Sequence, residues 1–194
     1  MFELVSALLA QNKFKIEKNG LELLGQKMFM VPTFAFVELQ KELKEKKINH
    51  VAYDVFKYTS LRWTKNLKDS YHMNSDQVLN WARDTATICG WGTARIVHKD
   101  FEKKFASLKL EDSAVASTIL KEQGISKHPV DHMFRGLIAG TLSTVLGADV
   151  EAVETHCVAQ GANECWFVVK PMDSFDKSVE LVKNQLKIGR KICY

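Results

Sequence analysis

The sequence predicts an α+β fold in which an antiparallel sheet of about four strands carries helices packed against it. Three observations lead there. Helical spacing of apolar residues dominates the segment from Thr33 to Cys89, and two-residue alternation marks TARIVHKD, KFASLKLED, ADVEAVETHCVA and ECWFVVKP. Between the strand pairs lies DHMFRGLIAGTLSTVLGA, a helical pattern with small residues along one side.

The elements follow in order. Phe14 to Gly25 alternates apolar and polar residues around Asn19-Gly20, a strong hairpin signal because both turn residues accept positive φ. Pro32-Thr33 opens a helix in which Phe36, Leu39 and Leu43 recur at helical spacing. A second helix over residues 50–70 places Val51, Val55 and Tyr58 on one stripe, with Phe56, Trp63 and Leu67 nearby. A third opens at Asn74 or Ser75, whose side chains cap free N–H groups, and runs to Gly90. After the first strand pair, a helix from Pro129 carries Gly136, Ala139, Gly140 and Ser143 on one face. Gly140 costs about 1 kcal/mol of helix propensity, which points to a closely approaching neighbour. Two further strands joined by QGAN precede a last amphipathic helix from Ser174, using Val179, Val182, Leu186 and Ile188.

Composition narrows the class. Of 194 residues, 46% are apolar and 26% charged, with 10 Gly and 3 Pro, so a single folded domain over 1–194 is expected. The 27 basic and 23 acidic residues are interspersed, as in KELKEKK, which describes a solvated helix face rather than a nucleic-acid footprint. No apolar run is long enough to span a bilayer, and MFELVSALLAQNKF lacks the features of a signal peptide, so a cytoplasmic protein is expected. No GxGxxG fingerprint, P-loop or nucleophile elbow is present, and enzyme activity is not expected.

The chemistry concentrates in VETHCVAQGANECWFVV. Symmetry about Gly161 makes Cys157 and Cys165 cross-strand partners, with Cβ atoms about 4.5–5.5 Å apart. A disulfide prefers about 3.8 Å, and zinc with sulfur bonds of about 2.3 Å spaces its thiolates comparably. On spacing alone a metal site, a redox pair and two small buried hydrophobes all stay open. Strict alternation puts Glu154 and His156 on one face and Cys157 on the other, so Glu154 joins Cys157 only if a bulge or strand end intervenes. His128, Asp131 and His132, at the start of the glycine-containing helix, are placed to reach the hairpin. Two Cys with one His and one carboxylate suit zinc.

The stretch RGLIAGTLSTVLGADVEAVETHCVAQGANECWFVVKP, residues 135–171, resembles the vinyl-4-reductase domain family of small-molecule or hydrocarbon-binding modules. The resemblance rests on a helix with spaced glycines, a Gly-containing turn, V-E-x-x-C, seven residues, and a second Cys before an apolar strand. It implies a fold like the transport-particle subunits, commonly dimeric, with 129–171 as the signature carrying a metal hairpin and 1–30 as an N-terminal hairpin and dimerisation segment. It also implies structural zinc. In the phenol-sensing relatives the ligands correspond to Cys157, Cys165 and Glu154 here, plus a Cys at the helix start where this chain has Asp131 or His132 instead.

What the resemblance implies about function is a stand-alone module that binds or senses a small apolar or aromatic ligand. A homodimer is implied, and a downstream protein partner would receive its signal. Phe34, Phe36, Phe56, Tyr58, Trp63, Trp81, Trp91 and Phe134 are candidate pocket residues. A reductase-related enzyme or accessory subunit, or a dimeric interaction scaffold, are the alternatives.

Overall fold

A computed structural model describes residues 14–17, 20–23 and 26–186. Of the expected N-terminal segment, residues 1–13, 18–19 and 24–25 lie outside the described residues, as do Ile188 and Cys193. The described strands there are β1 (Phe14–Glu17), β2 (Gly20–Leu23) and β3 (Gln26–Met28), which form a small antiparallel sheet in that order. The alternation read around Asn19-Gly20 thus belongs to a paired β1 and β2, with Phe14 opposite Leu23.

Three helices follow: α1 (Thr33–Glu45), α2 (His50–Tyr71) and α3 (Ser75–Ile88). Asn74 caps α3 through a reciprocal pair of 2.9 Å hydrogen bonds with Gln77, a capping box that satisfies two free N–H groups. On α2 the stripe of Val51, Val55 and Tyr58 is the outer one, since all three are exposed. Buried instead are Tyr53, Ser60, Thr64 and Leu67, which face α5 (His132–Leu146).

The glycine face of α5 explains that choice. A Cβ at Gly136 would overlap the Tyr53 carbonyl oxygen, and one at Gly140 would overlap that of Lys57 and lie 2.7 Å from the Leu61 nitrogen. The two helices approach backbone to backbone, so only short side chains fit between them. Ser60 Oγ donates to the Leu137 carbonyl at 2.6 Å, and its hydroxyl meets Thr141 Oγ1 at 2.8 Å. Thr64 meets Thr144 at 2.8 Å.

The main sheet has the order β4-β5-β7-β6, all antiparallel, from β4 (Thr93–Asp100), β5 (Phe105–Glu111), β6 (Glu151–His156) and β7 (Cys165–Lys170). Alternate residues of β5 and β7, Ala106, Leu108, Leu110 and Cys165, Phe167, Val169, point inward and join the core with α5. A helix not anticipated from the sequence, α4 (Ala114–Gln123), follows β5. Its Val, Thr and Ile content lowers helix propensity, and the available signal was its cap, Ser113, which accepts from the Ala116 N–H at 3.2 Å.

The last helix begins later than Ser174. Residues Met172–Ser174 form a short 3₁₀ turn, and Asp176 accepts from the Ser178 N–H at 2.9 Å, a side-chain turn that delays the helix to α6 (Glu180–Leu186). Val153, Phe175 and Leu186 form a small second core where α6 covers β6. No described helix is long and apolar enough to cross a membrane.

Candidate functional site

The register of the cysteine hairpin is where the fold makes a site. Ala152 pairs with Val169 and Glu154 with Phe167, but His156 pairs with Trp166, so Thr155 is an extra residue on β6. That bulge breaks the alternation. Glu154 and Cys157 are both fully buried, whereas His156 is exposed. Cys157 ends up just beyond β6 and Cys165 opens β7, joined by a 3₁₀ turn at Val158–Gln160 and by Gly161 at φ +92°.

Asp131, immediately before α5, completes the group. Asp131, Glu154, Cys157 and Cys165 each offer one ligand atom, all within 4.8 Å of one another, and all four residues are buried. A tetrahedron with sulfur bonds of about 2.3 Å has edges of about 3.8 Å, so a modest contraction suffices to seat an ion. The chemistry of the donors fits a borderline-soft divalent cation: two thiols and two carboxylates. Glu154 Oε1 is buried and has no hydrogen-bond partner among the described residues. Its other oxygen accepts from the Asp131 N–H at 3.1 Å. Ser113 Oγ donates to both Asp131 oxygens at 2.9 and 2.8 Å, so one hydroxyl caps α4 and orients a candidate ligand.

Of the two residues considered for the helix start, the fold brings Asp131 to the cysteines. The His132 ring turns toward Arg135, with Nδ1 3.4 Å from Nη1, and burial together with that guanidinium holds its imidazole down at about 3. His156 lies against Thr155 and Trp166 on the outer side.

Electrostatics in the metal-free group resist full ionisation. Burial pushes the Asp131 carboxyl up to about 6 and, reinforced by Asp131, holds Glu154 well above the usual carboxylate range. The contact with Cys165 pulls the Cys157 thiol down to about 7, and the same contact, with burial, pushes Cys165 up. Both thiols are free. A cation placed among these atoms would replace the protons that burial retains.

Two supporting residues carry no motif in the sequence. Arg135, fully buried, donates from Nε to the Ala152 carbonyl at 3.0 Å and lies 4.8 Å from the Tyr53 ring centroid. Gln185 of α6 takes the Glu154 N–H on its Oε1 at 2.9 Å and donates Nε2 to the Glu154 carbonyl at 2.7 Å. A lone Arg in a helix and a Gln near a chain end read as surface residues, and only the fold reveals their partners.

On the other side of α5 lies a cavity of about 770 Å³ between α2, α3, β2–β3 and the inner face of the sheet. Trp63, Trp91, Phe134, Leu108 and Leu142 give it an apolar wall, and the exposed Arg62 and Lys65 stand on its lining toward solvent. Of the eight aromatic candidates, Tyr58, Trp63, Trp91 and Phe134 line it. Phe36 and Phe56 back it from behind, with ring centroids 5.5 and 5.6 Å from Trp91, and Phe34 is exposed.

Comparison with known proteins finds relatives in sequence and in fold. Residues 110–171 match the family model of the vinyl-4-reductase domain. Over 84 residues, 43% of this chain, the sequence is 33% identical to the phenol regulator MopR of Acinetobacter guillouiae, and the match spans 15% of that protein. The fold is shared with the phenol-responsive sensory domain of the transcription activator PoxR in its complex with phenol, at TM-score 0.78 and 18% identity over 98% of this chain and 97% of that one. A vinyl-4-reductase family protein of Methanocaldococcus jannaschii is similar at TM-score 0.50 and 18% identity, over 75% and 83% of the two chains. A trafficking protein particle complex subunit 3 of Naegleria fowleri, covalently bound to palmitic acid, is similar at TM-score 0.50 and 13% identity, over 71% and 91%. The chain therefore resembles the vinyl-4-reductase, phenol-sensor and transport-particle proteins in an α+β fold.

Proposed function

We propose that this chain, which carries a vinyl-4-reductase domain match across its cysteine hairpin, is a small-molecule-binding and sensing module whose ligand is apolar or aromatic. The observation that carries the reading is the cavity of about 770 Å³ walled by Trp63, Trp91, Phe134 and Leu108. A space of this size and polarity accommodates a small apolar or aromatic molecule. The likeness of nearly the whole chain to a phenol-responsive sensory domain supports sensing by one binding unit over residues 1–194.

Asp131, Glu154, Cys157 and Cys165 are the residues that would hold a zinc ion. Bound there, zinc supplies a structural cross-link. Four protein donors would leave no position for an activated water, so the site would brace β6, β7 and the start of α5 rather than hydrolyse a substrate. The brace and the cavity share α5: Asp131 precedes its first turn, and Phe134, Leu137 and Leu142 on it line the pocket.

A homodimer is part of this reading, supported by exposed apolar residues on α1 and α2, among them Phe34, Leu39, Val51 and Val55. A downstream protein would receive the ligand signal. Buried free thiols suit a reducing compartment such as the cytoplasm.

Native mass spectrometry of the purified chain, before and after mild denaturation, tests these features together. The expected result is a dimer with one zinc per chain and a small apolar adduct lost on denaturation. A metal-free chain with a Cys157–Cys165 disulfide under reducing conditions overturns the zinc assignment. Failure of phenol, toluene and short alkanes alike to change the tryptophan fluorescence of the ligand-free chain overturns the binding assignment.

A further inference from the structure

We propose that Gln185 is a positioning residue for the metal centre, and that metal loading and docking of α6 form one coupled equilibrium carried by Gln185 and Arg135. The inference rests on the metal reading of Asp131, Glu154, Cys157 and Cys165.

The geometry begins at the edge of the sheet. Among the described residues β6 is an edge strand, and the outward N–H and C=O of Glu154 pair with no strand there. The Gln185 amide takes that place, accepting from one group at 2.9 Å and donating to the other at 2.7 Å. The residue so clamped is the last before the Thr155 bulge, the irregularity that turns Glu154 and Cys157 toward the same space. Gln185 therefore fixes the backbone on which a metal-ligating carboxylate stands.

Arg135 closes the loop. Its Nη2 donates to the Gln185 carbonyl at 3.1 Å while its Nε holds the Ala152 carbonyl, two residues before Glu154 on β6. Charge gives it a second role. Two carboxylates and two thiolates around a divalent cation leave a net charge of about −2 in a buried space, and Arg135 is a fully buried cation whose charge couples to Glu154.

The helix on the other end of the clamp is described over Glu180–Leu186, and a helix in water draws most of its stability from packing of its apolar face. Besides the clamp, it is held by Leu186 and Val182 against Val153 and Phe175. Whatever holds Glu154 in its ligating position also favours the docked helix, and linkage makes the effect reciprocal.

Hydrogen exchange of the full chain, zinc-loaded and after chelation, reads the coupling directly. The expected result is about tenfold faster exchange across residues 180–186 on chelation, with the centre of α5 unchanged. In parallel, Gln185→Met should weaken zinc affinity by the same factor of about ten, measured by competition with a chromophoric chelator, and should alter the thiolate-to-metal absorption of the cobalt-loaded protein. A merely structural Gln185 would lower the melting temperature and leave zinc affinity and the cobalt spectrum as they were, which overturns the proposal. If Gln185→Met does not fold, the wild-type chelation experiment decides by itself. Zinc uptake with unchanged exchange at 180–186 overturns the coupling alone, whereas no zinc uptake overturns the metal reading and the coupling with it.

Discussion

Glu154 and Cys157 face the same buried space although three positions separate them on what would otherwise be a regular strand. The single inserted residue, Thr155, makes this possible, and it brings Glu154 to the cysteines, where Asp131 from the start of α5 joins them in a potential coordination sphere.

If that sphere holds zinc, removing one ligand should be equivalent to removing the metal. Cys165→Ser should lower the melting temperature by roughly 10 °C, taking about 2–4 °C per kcal/mol for a chain of this size and a loss of about 3–4 kcal/mol. Chelator should produce a similar drop in the wild type and none in the variant. Scanning calorimetry with and without chelator checks this, and additive effects of the two would contradict it.

The metal-free protein should have an unusual pH dependence. In the fold, Asp131 holds its proton up to about 6, against roughly 3.9 in an unfolded chain. A raised carboxyl stabilises the fold while it is protonated: the contribution is complete below the unfolded value and is lost as pH rises through about 6. Glu154, held up in the same way, adds to this loss, whereas His132, held down at about 3, opposes it as pH rises towards its unfolded value; two carboxyls against one imidazole leave the chelated chain melting at lower temperature as pH rises from about 4 to about 7. Zinc binds the deprotonated ligands, so the gap between loaded and chelated protein should widen over the same interval. A gap independent of pH would contradict the assignment.

The contact between α2 and α5 should tolerate no added carbon. In Gly140→Ala the new methyl meets the backbone of Lys57 and Leu61 rather than a movable side chain. The expected cost is about 1–3 kcal/mol or more, read as a lower urea midpoint with an unchanged slope. A variant as stable as the wild type would show that the helices can part without penalty.

Ligand binding should depend on open space beside α5. Leu108→Trp projects a larger ring from the inner face of β5 into the cavity and should weaken binding of a single-ring aromatic at least tenfold. Fluorescence titration checks the affinity, and circular dichroism checks that the fold is retained. Undiminished binding would place the ligand elsewhere.

Patterned features were legible in the sequence. Period-2 segments became β4, β5, β6 and β7, and the small-residue face of α5 met a helix backbone as its glycines required. Cys157, Cys165, Glu154 and Asp131 were all identifiable as candidates, but the bulge that their meeting requires was legible only as a condition. The Thr155 bulge leaves no compositional mark, because any residue fits the extra position. The buried face of α2 is not marked by apolar spacing alone, because Ser60 and Thr64, polar by composition, serve as inward residues wherever the partner helix is close enough to bond them. Gln185 and Arg135 were invisible for a related reason: their partners are main-chain atoms, which every residue possesses.

The pairing of α2 with α5 also has a consequence during synthesis. Ser60 and Thr141 are separated by 81 positions. At roughly 5–20 residues per second, α2 leaves the ribosome several seconds before the surface it packs against exists. A waiting helix with an apolar stripe there would invite nonspecific association. The hydroxyls of Ser60 and Thr64, between Tyr53 and Leu67 on that face, interrupt its apolar surface with groups that water can hydrate until α5 arrives.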